Sequence, residues 1–223
     1  MEGKTFFSQE KQDIFLYKYF FKNYTNPGFF IELGALDGVK ISNSLFFEKS
    51  LNWNGICIEP LEEYYVNLVK NRKCHKFQDV IYDVEKEVSF ISIVGNSCGL
   101  SGIKETYDNR HVNRINREVS LHKVNGLKSI VLDEKKKTRT LDSILEEVKV
   151  KEIDFLSLDT EGSELNVLKS INWEDTNIKV LCVENNYGDE KLHKYILEKN
   201  YTFIHKLSSD YIYYRKDLIT PIL

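Results

Sequence analysis

The sequence predicts an α/β fold in a single domain, residues 1–223, built on a mostly parallel sheet with helices on both faces. Three observations predict it. Strand-like segments alternate with segments of helical periodicity along most of the chain. Several strand segments, among them "NGICIEP" and "IKVLCVENN", carry continuous apolar runs, as strands buried on both faces do. The last two strand segments, "YTFIHKL" and "DYIYYRK", have no helix between them and are expected to pair as an antiparallel hairpin at one sheet edge. A length of 223 residues fits one such domain.

Each element follows in order. An N-terminal helix is expected over about residues 8–24, capped by Ser8, with Ile14, Tyr17 and Phe21 facing inward. "NPG" at 26–28 is a turn, and Phe29–Leu33 is the first strand. Ser42 is a good cap for a helix carrying Leu45 and Phe46. A second strand at 54–60 ends at Pro60, and the next helix places Leu61, Tyr65, Leu68 and Val69 on one face. A third strand is expected around 76–82, with 88–94 antiparallel to it. Residues 95–137 are polar, dotted with glycine and rich in Asn, Arg and His. They are too long for a plain connection and are expected to form a lid or insertion with some helix of its own. Thr140 caps the helix "TLDSILEEV". A strand at 153–162, a helix at "SELNVLKSI", a strand at 178–186 and a helix with Leu192, Tyr195 and Ile196 inward lead to the closing hairpin.

Composition removes several classes. A net charge of −3 and a pI near 6.0 leave no basic field, so no nucleic-acid partner is expected. No apolar run approaches the ~20 residues that span a bilayer, so no membrane insertion is expected. The first residues lack a signal-peptide pattern. The four cysteines show no metal-binding spacing, and Cys57 and Cys182 sit in apolar runs. Reduced core thiols and a cytoplasmic setting are expected.

Chemistry gathers at the strand ends, where open α/β sheets bind ligands. The stretch "FFIELGALDGVKISNS" sets Glu32, Gly34 and Asp37 at the end of the first strand. Glu59 ends the second, Gln78 and Asp79 lie in the third, Asp159 and Glu161 end the fourth, and Glu184 and Asn185 end the fifth. Gly34 and Gly38 permit close backbone approach but form neither a dinucleotide fingerprint nor a phosphate loop. An acidic first loop suits pyrophosphate badly. It suits an amine, a sulfonium and a ribose, with Glu59 placed for the ribose hydroxyls, and that combination describes S-adenosylmethionine. Taken singly, each feature has a bland reading as a plain turn, a surface carboxylate or a helix-start charge. Their order on successive strand ends favours the ligand.

The segments "FSQEKQD", "FIELGALDGVKISNSLFFE", "WNGICIEP" and "TRTLDSIL" leading to "IDFLSLDTEGSELNVLKSI" resemble the FkbM-type S-adenosylmethionine-dependent methyltransferases. The resemblance runs from about Phe7 to the final hairpin and is loose over 95–137, around "SCGLSG". It implies a Rossmann-like class I methyltransferase fold with a seven-stranded sheet, and O-methylation of a hydroxyl on a sugar, glycan or related small molecule. It implies that Glu32, Gly34 and Asp37 hold the methionine part of the cofactor, Glu59 the ribose, and Asp79 and Val80 the adenine. Asn43 is a further cofactor candidate, and Gln9 and Asp13 match an N-terminal motif that closes over the site.

A neutral hydroxyl needs a base or a metal. Asp159 is the leading base, and His111 in the lid is a second candidate beside the reading of His111 and His122 as ordinary polar residues. By analogy with catechol-type O-methyltransferases, Asp159, Glu184 and Asn185 are candidate Mg2+ ligands; the alternative is that Glu184 and Asn185 only shape the acceptor pocket. Arg110, Arg114 and Arg117 are candidates for holding a phosphorylated or acidic glycan, or form a solvated helix face. A non-catalytic cofactor-binding module and a nucleotide-dependent Rossmann oxidoreductase are the competing readings.

Overall fold

The computed structural model describes residues 4–222; residues 1–3 and 223 of the expected domain lie outside the described range. Seven strands form one sheet: β1 (Phe29–Leu33), β2 (Asn54–Ile58), β3 (His75–Phe77), β8 (Glu152–Leu158), β9 (Asn177–Glu184), β10 (Tyr201–Leu207) and β11 (Asp210–Arg215). Their order is β10-β11-β9-β8-β1-β2-β3. Neighbours from β9 to β3 run parallel, whereas β11 runs against both β9 and β10. The hairpin forms as expected, but β11 inserts beside β9 and β10 takes the edge.

Alternation along β1 builds two core layers. Ile31 and Leu33 face one side, with Ile56, Ile58, Leu156 and Leu158. That layer is covered by α5 (Leu141–Val148), α6 (Glu164–Lys169) and α7 (Glu190–Glu198) through Ile144, Leu145, Val167, Leu168, Leu192 and Ile196. Phe30 faces the other side with Cys57, Phe155 and Val180, under Leu16, Phe20, Phe21, Phe46, Phe47 and Trp53. Cys57, Cys74 and Cys182 are buried free thiols. No helix among the described residues is long and apolar enough to cross a membrane.

Three expectations change. The N-terminal helix is shorter: α1 covers Gln12–Leu16 and continues as a π-helical turn over Tyr17–Phe21. Lys11, not Ser8, holds the N-cap position; Ser8 bridges to Ile41, and its hydroxyl donates to the Asp13 carboxylate and accepts from the first-turn Asp13 N–H at 3.3 Å. The wider π turn shifts the inward face to Leu16, Phe20 and Phe21. The third strand breaks at Gln78–Asp79 into β3 and β4 (Val80–Ile81), which belong to different sheets. Finally, β5 (Glu87–Gly95) pairs not with the third strand but with β7 (Ser129–Arg139) and β6 (Gly102–Ile103).

The region around 95–137 is therefore largely an ordered layer. A four-stranded sheet, β4-β7-β5-β6, carries the sixteen-residue helix α4 (Asn109–Val124). Asp108 caps α4 by accepting from the Arg110 N–H. Ile93, Leu100 and Ile115 form the core between helix and sheet. The Thr140 cap on α5 is as expected, with its side chain accepting from the Ser143 N–H at 3.1 Å.

Candidate active site

The chain runs outward from β1 to β3 on one side and continues through β8 and β9 on the other, so β1 and β8 meet where the strand order reverses. Beyond their carboxyl ends lies a cavity of about 470 Å3, a size that holds a small-molecule ligand. The inserted layer forms one wall through Ser97–Ile103 and Arg114.

Gly34 forms the floor. Its φ is +75°, and its N–H donates to the Ile58 carbonyl at 3.1 Å. A Cβ there would overlap the Asp159 carbonyl oxygen, so only glycine lets the two strand ends meet. The loop then wraps onto Glu59. One carboxylate oxygen accepts from the Leu36 N–H at 2.9 Å and the other from the Leu61 N–H at 2.8 Å. Burial pushes Glu59 up to about 7 against the pull of those two donors. Beyond Glu59, Ile58, Leu61, Val80, Phe90 and Ile103 make an apolar compartment with Asp79 on its wall. Asp79 lies 3.4 Å from the Arg139 guanidinium.

The opposite end is acidic. Oxygens of Asp159, Glu161 and Glu184 lie within 4.8 Å of one another. Burial, with Asp210 and Glu164 nearby, raises Asp159 to about 7. Burial, and then the charge of Asp159, also raises Glu161 and Glu184 well above the carboxylate range. Arg114 is the cation at this end, 3.9 Å from Glu161 and 3.1 Å from Glu118. Glu164 holds the turn that presents these acids by accepting from the Thr160 and Gly162 N–H groups. Glu161 sits there with φ +54°, a strained conformation for a non-glycine residue.

Of the expected residues, Gln9, Gly34, Asn43, Glu59, Asp79, Val80, Asp159 and Glu184 line this one cavity. Four do not. Glu32 is buried beneath it, 3.3 Å from the Arg72 guanidinium. It also accepts from the Ser42 and Ser44 hydroxyls and the Asn43 N–H. Glu32 thus fixes the loop that delivers Asn43. Asp37 folds back to accept from the Val39 and Lys40 N–H groups, which caps its own turn. His111 is not among the residues lining the cavity; its Nε2 meets the Leu100 carbonyl, and its Nδ1 is shared between the Tyr187 hydroxyl at 3.3 Å and the Glu161 carboxylate at 3.4 Å. Burial lowers its pKa, and the ring braces α4 against the 98–100 turn and against Glu161 of the acidic cluster. Asn185 closes a loop by accepting from the Asp189 N–H and donating to the Asp189 carbonyl. Glu161 replaces it in the acidic cluster, and Asn186 replaces it in the cavity wall. Asp13 likewise serves the fold, accepting from the Phe7 and Ser8 N–H groups.

Two donor sets fit the expected groups. Asn43 donates to Ser157 at 2.8 Å, yet its Oδ1 is buried without a partner. An unpartnered acceptor in a carboxylate-lined cavity suits an ammonium or sulfonium ligand. Asp159, Glu161 and Glu184 offer oxygen ligands only, which suit a hard cation such as Mg2+. Arg72 was not foreseen as a supporting residue: it contacts Glu32 across 40 positions, and no local pattern signals that.

A family model described as "Methyltransferase FkbM domain" matches residues 32–204 of the 223. That span begins at Glu32 and includes the inserted layer and the acidic cluster. No curated protein and no solved structure matches the chain.

Proposed function

The chain belongs to the FkbM methyltransferase family, and from that premise we propose that it transfers the methyl group of S-adenosylmethionine to a hydroxyl of a sugar, glycan or related small molecule. The fold in this reading is the Rossmann-like class I methyltransferase domain. The observation that carries the proposal is the lining of the cavity: carboxylates at the ends of β2, β8 and β9 surround a glycine floor, with Arg114 as the nearby cation. Such a lining selects a positively charged, ribose-bearing cofactor over a dinucleotide pyrophosphate.

S-adenosylmethionine, when bound, supplies an electrophilic methyl carbon on a sulfonium centre. The chain supplies the rest. Glu59, fixed by two backbone donors, keeps lone pairs for the ribose hydroxyls. Val80, Phe90 and Ile103, which line the cavity beyond Glu59, would hold the adenine, and Asp79 would accept from its amino group. Asn43 Oδ1 accepts from the ammonium. Asp159, close to neutrality in its titration, takes the proton of the acceptor hydroxyl as the oxygen attacks. Gln9, expected to close over the cofactor, borders the same cavity, as does Ser209. The three buried free thiols fit a reducing compartment such as the cytoplasm.

Calorimetry tests the cofactor. S-adenosylmethionine or its demethylated product should bind, and NAD should not; the reverse result would sink the reading in favour of an oxidoreductase. Transfer of a labelled methyl group to a panel of glycans tests catalysis. Tight cofactor binding with no transfer to any acceptor would favour a non-catalytic module.

A further inference from the structure

The inserted sheet has an open edge. β4 pairs with β7 at Thr138 and Arg139, whereas β5 pairs the opposite edge of β7 from Ser129 to Lys137. Among the described residues, no strand pairs with the outer edge of Ser129–Lys137. Unpaired backbone donors and acceptors on such an edge are a template for another strand. Proteins commonly blunt edges with lysine, and Lys135–Lys137 follow that rule. The first half does not. Ile130, Val131 and Leu132 are 39%, 44% and 41% exposed, an apolar triplet open on both faces of the strand.

Two occupants come to mind for exposed apolar residues beside Lys123 and Lys128: an anionic lipid surface and a second strand. The open edge decides between them. Hydrocarbon offers no partner to unpaired N–H and C=O groups, so sheet edges are not left open in lipid. A second strand satisfies them.

We propose that β7 pairs antiparallel with β7 of a second copy of this chain, Val131 facing Val131 across a two-fold axis. Two features select that register. It sets Ile130 opposite Leu132, so the triplet covers itself, and Lys128 opposite Glu134, so opposite charges meet. Registers displaced toward the lysines run into β4, which holds the edge at Thr138. A contact of one surface with itself closes at the dimer and does not propagate.

Light scattering on the full chain at high micromolar concentration should give about twice the 26.2 kDa chain mass. Val131→Lys sets two like charges on the axis and should weaken the dimer at least about tenfold. Val131 is exposed, so the melting temperature of the monomer should not change. A second variant reads the register directly. In a Cys98→Ser background, Val131→Cys should form a disulfide-linked dimer under mild oxidation, because facing residues on paired strands have suitable spacing. Asp133→Cys, off the axis, should not. A monomeric wild-type chain, a dimer indifferent to Val131→Lys, or equal cross-linking of the two cysteine variants would overturn the proposal. Sedimentation of a monomer with phosphatidylserine-containing vesicles, lost in Val131→Lys, would assign the patch to lipid instead.

Discussion

The Asp159 carbonyl occupies the space in which a side chain on Gly34 would begin. One contact therefore joins the end of β1, which floors the cavity, to the end of β8, which carries Asp159. Gly34→Ala combines a strained φ, worth roughly 1–2 kcal/mol, with this overlap. The expected outcome is a lower melting temperature together with weaker cofactor binding, read by calorimetry. A variant of unchanged stability and affinity would show that the two strand ends need not touch.

Glu59 anchors the Leu36 and Leu61 N–H groups, and in the proposed function it also offers lone pairs to the ribose. Glu59→Gln keeps the size, removes the charge and, having one acceptor oxygen where the carboxylate has two, gives up one of the two backbone anchors. Charge-assisted bonds are worth ~1.5–3 kcal/mol, so cofactor affinity should fall at least about tenfold. An unchanged dissociation constant would remove Glu59 from the ribose.

Arg72 sits between Glu32 and Glu48, at 3.3 and 2.9 Å, with Arg72 and Glu32 buried and Glu48 half-buried. Removing one member of a buried ionic group leaves uncompensated charge and costs about 3–5 kcal/mol. Arg72→Met should lower stability in urea by about that amount. It should also loosen the 42–44 loop and weaken cofactor binding through Asn43. A loss below about 1 kcal/mol would mean that the two glutamates find other partners.

These contacts mark what the sequence could and could not reveal. Gly34, Glu59 and Asp159 were legible because a strand followed by a turn fixes their place locally. Arg72 was not, since its partner lies 40 residues away and tertiary pairing leaves no periodic trace. β7 was hidden by "DEKKK": both of its faces meet solvent over Val131–Asp133, so polar alternation never appears. Asn185 was misplaced against Asn186 because a shift of one residue reverses the side a chain presents. His111 lay in a helix whose docking face depends on Leu100 and Tyr187, which local sequence does not specify.

Acid titration should carry the signature of the cavity carboxylates. Glu59 and Asp159 both titrate near 7 in the folded chain, above their ordinary 4.5 and 3.8, because burial disfavours the charged form. Between those limits the folded state binds more protons than the unfolded one. Its stability is therefore greatest below about pH 4 from these groups and declines as pH rises through 7. The melting temperature of the free protein should fall from pH 5 to pH 8, and Asp159→Asn should flatten the fall. A cationic cofactor reverses the preference by favouring ionised acids, so the thermal shift it causes should grow over the same range. A ligand-induced shift that is flat with pH would separate these carboxylates from cofactor binding.

Chelation decides how the acceptor hydroxyl is activated. Asp159, Glu161 and Glu184 place oxygens within 4.8 Å of one another and match a hard cation in chemistry. A metal there would lower the pKa of an acceptor hydroxyl held beside the sulfonium. The same acids also explain themselves without one: raised pKa values let protons neutralise Glu161 and Glu184, and Arg114 offsets part of the remaining charge. In that case Asp159 alone is the base. With a metal, EDTA should abolish methyl transfer, Mg2+ or Mn2+ should restore it, and Glu161→Gln should raise the Mg2+ concentration needed. With a general base, full turnover survives exhaustive chelation. The rate then rises with pH to a plateau above about 7, and Asp159→Asn lowers it by about 10²–10⁴. We expect the second pattern, because protonation already removes the charge repulsion that a metal would otherwise be needed to relieve.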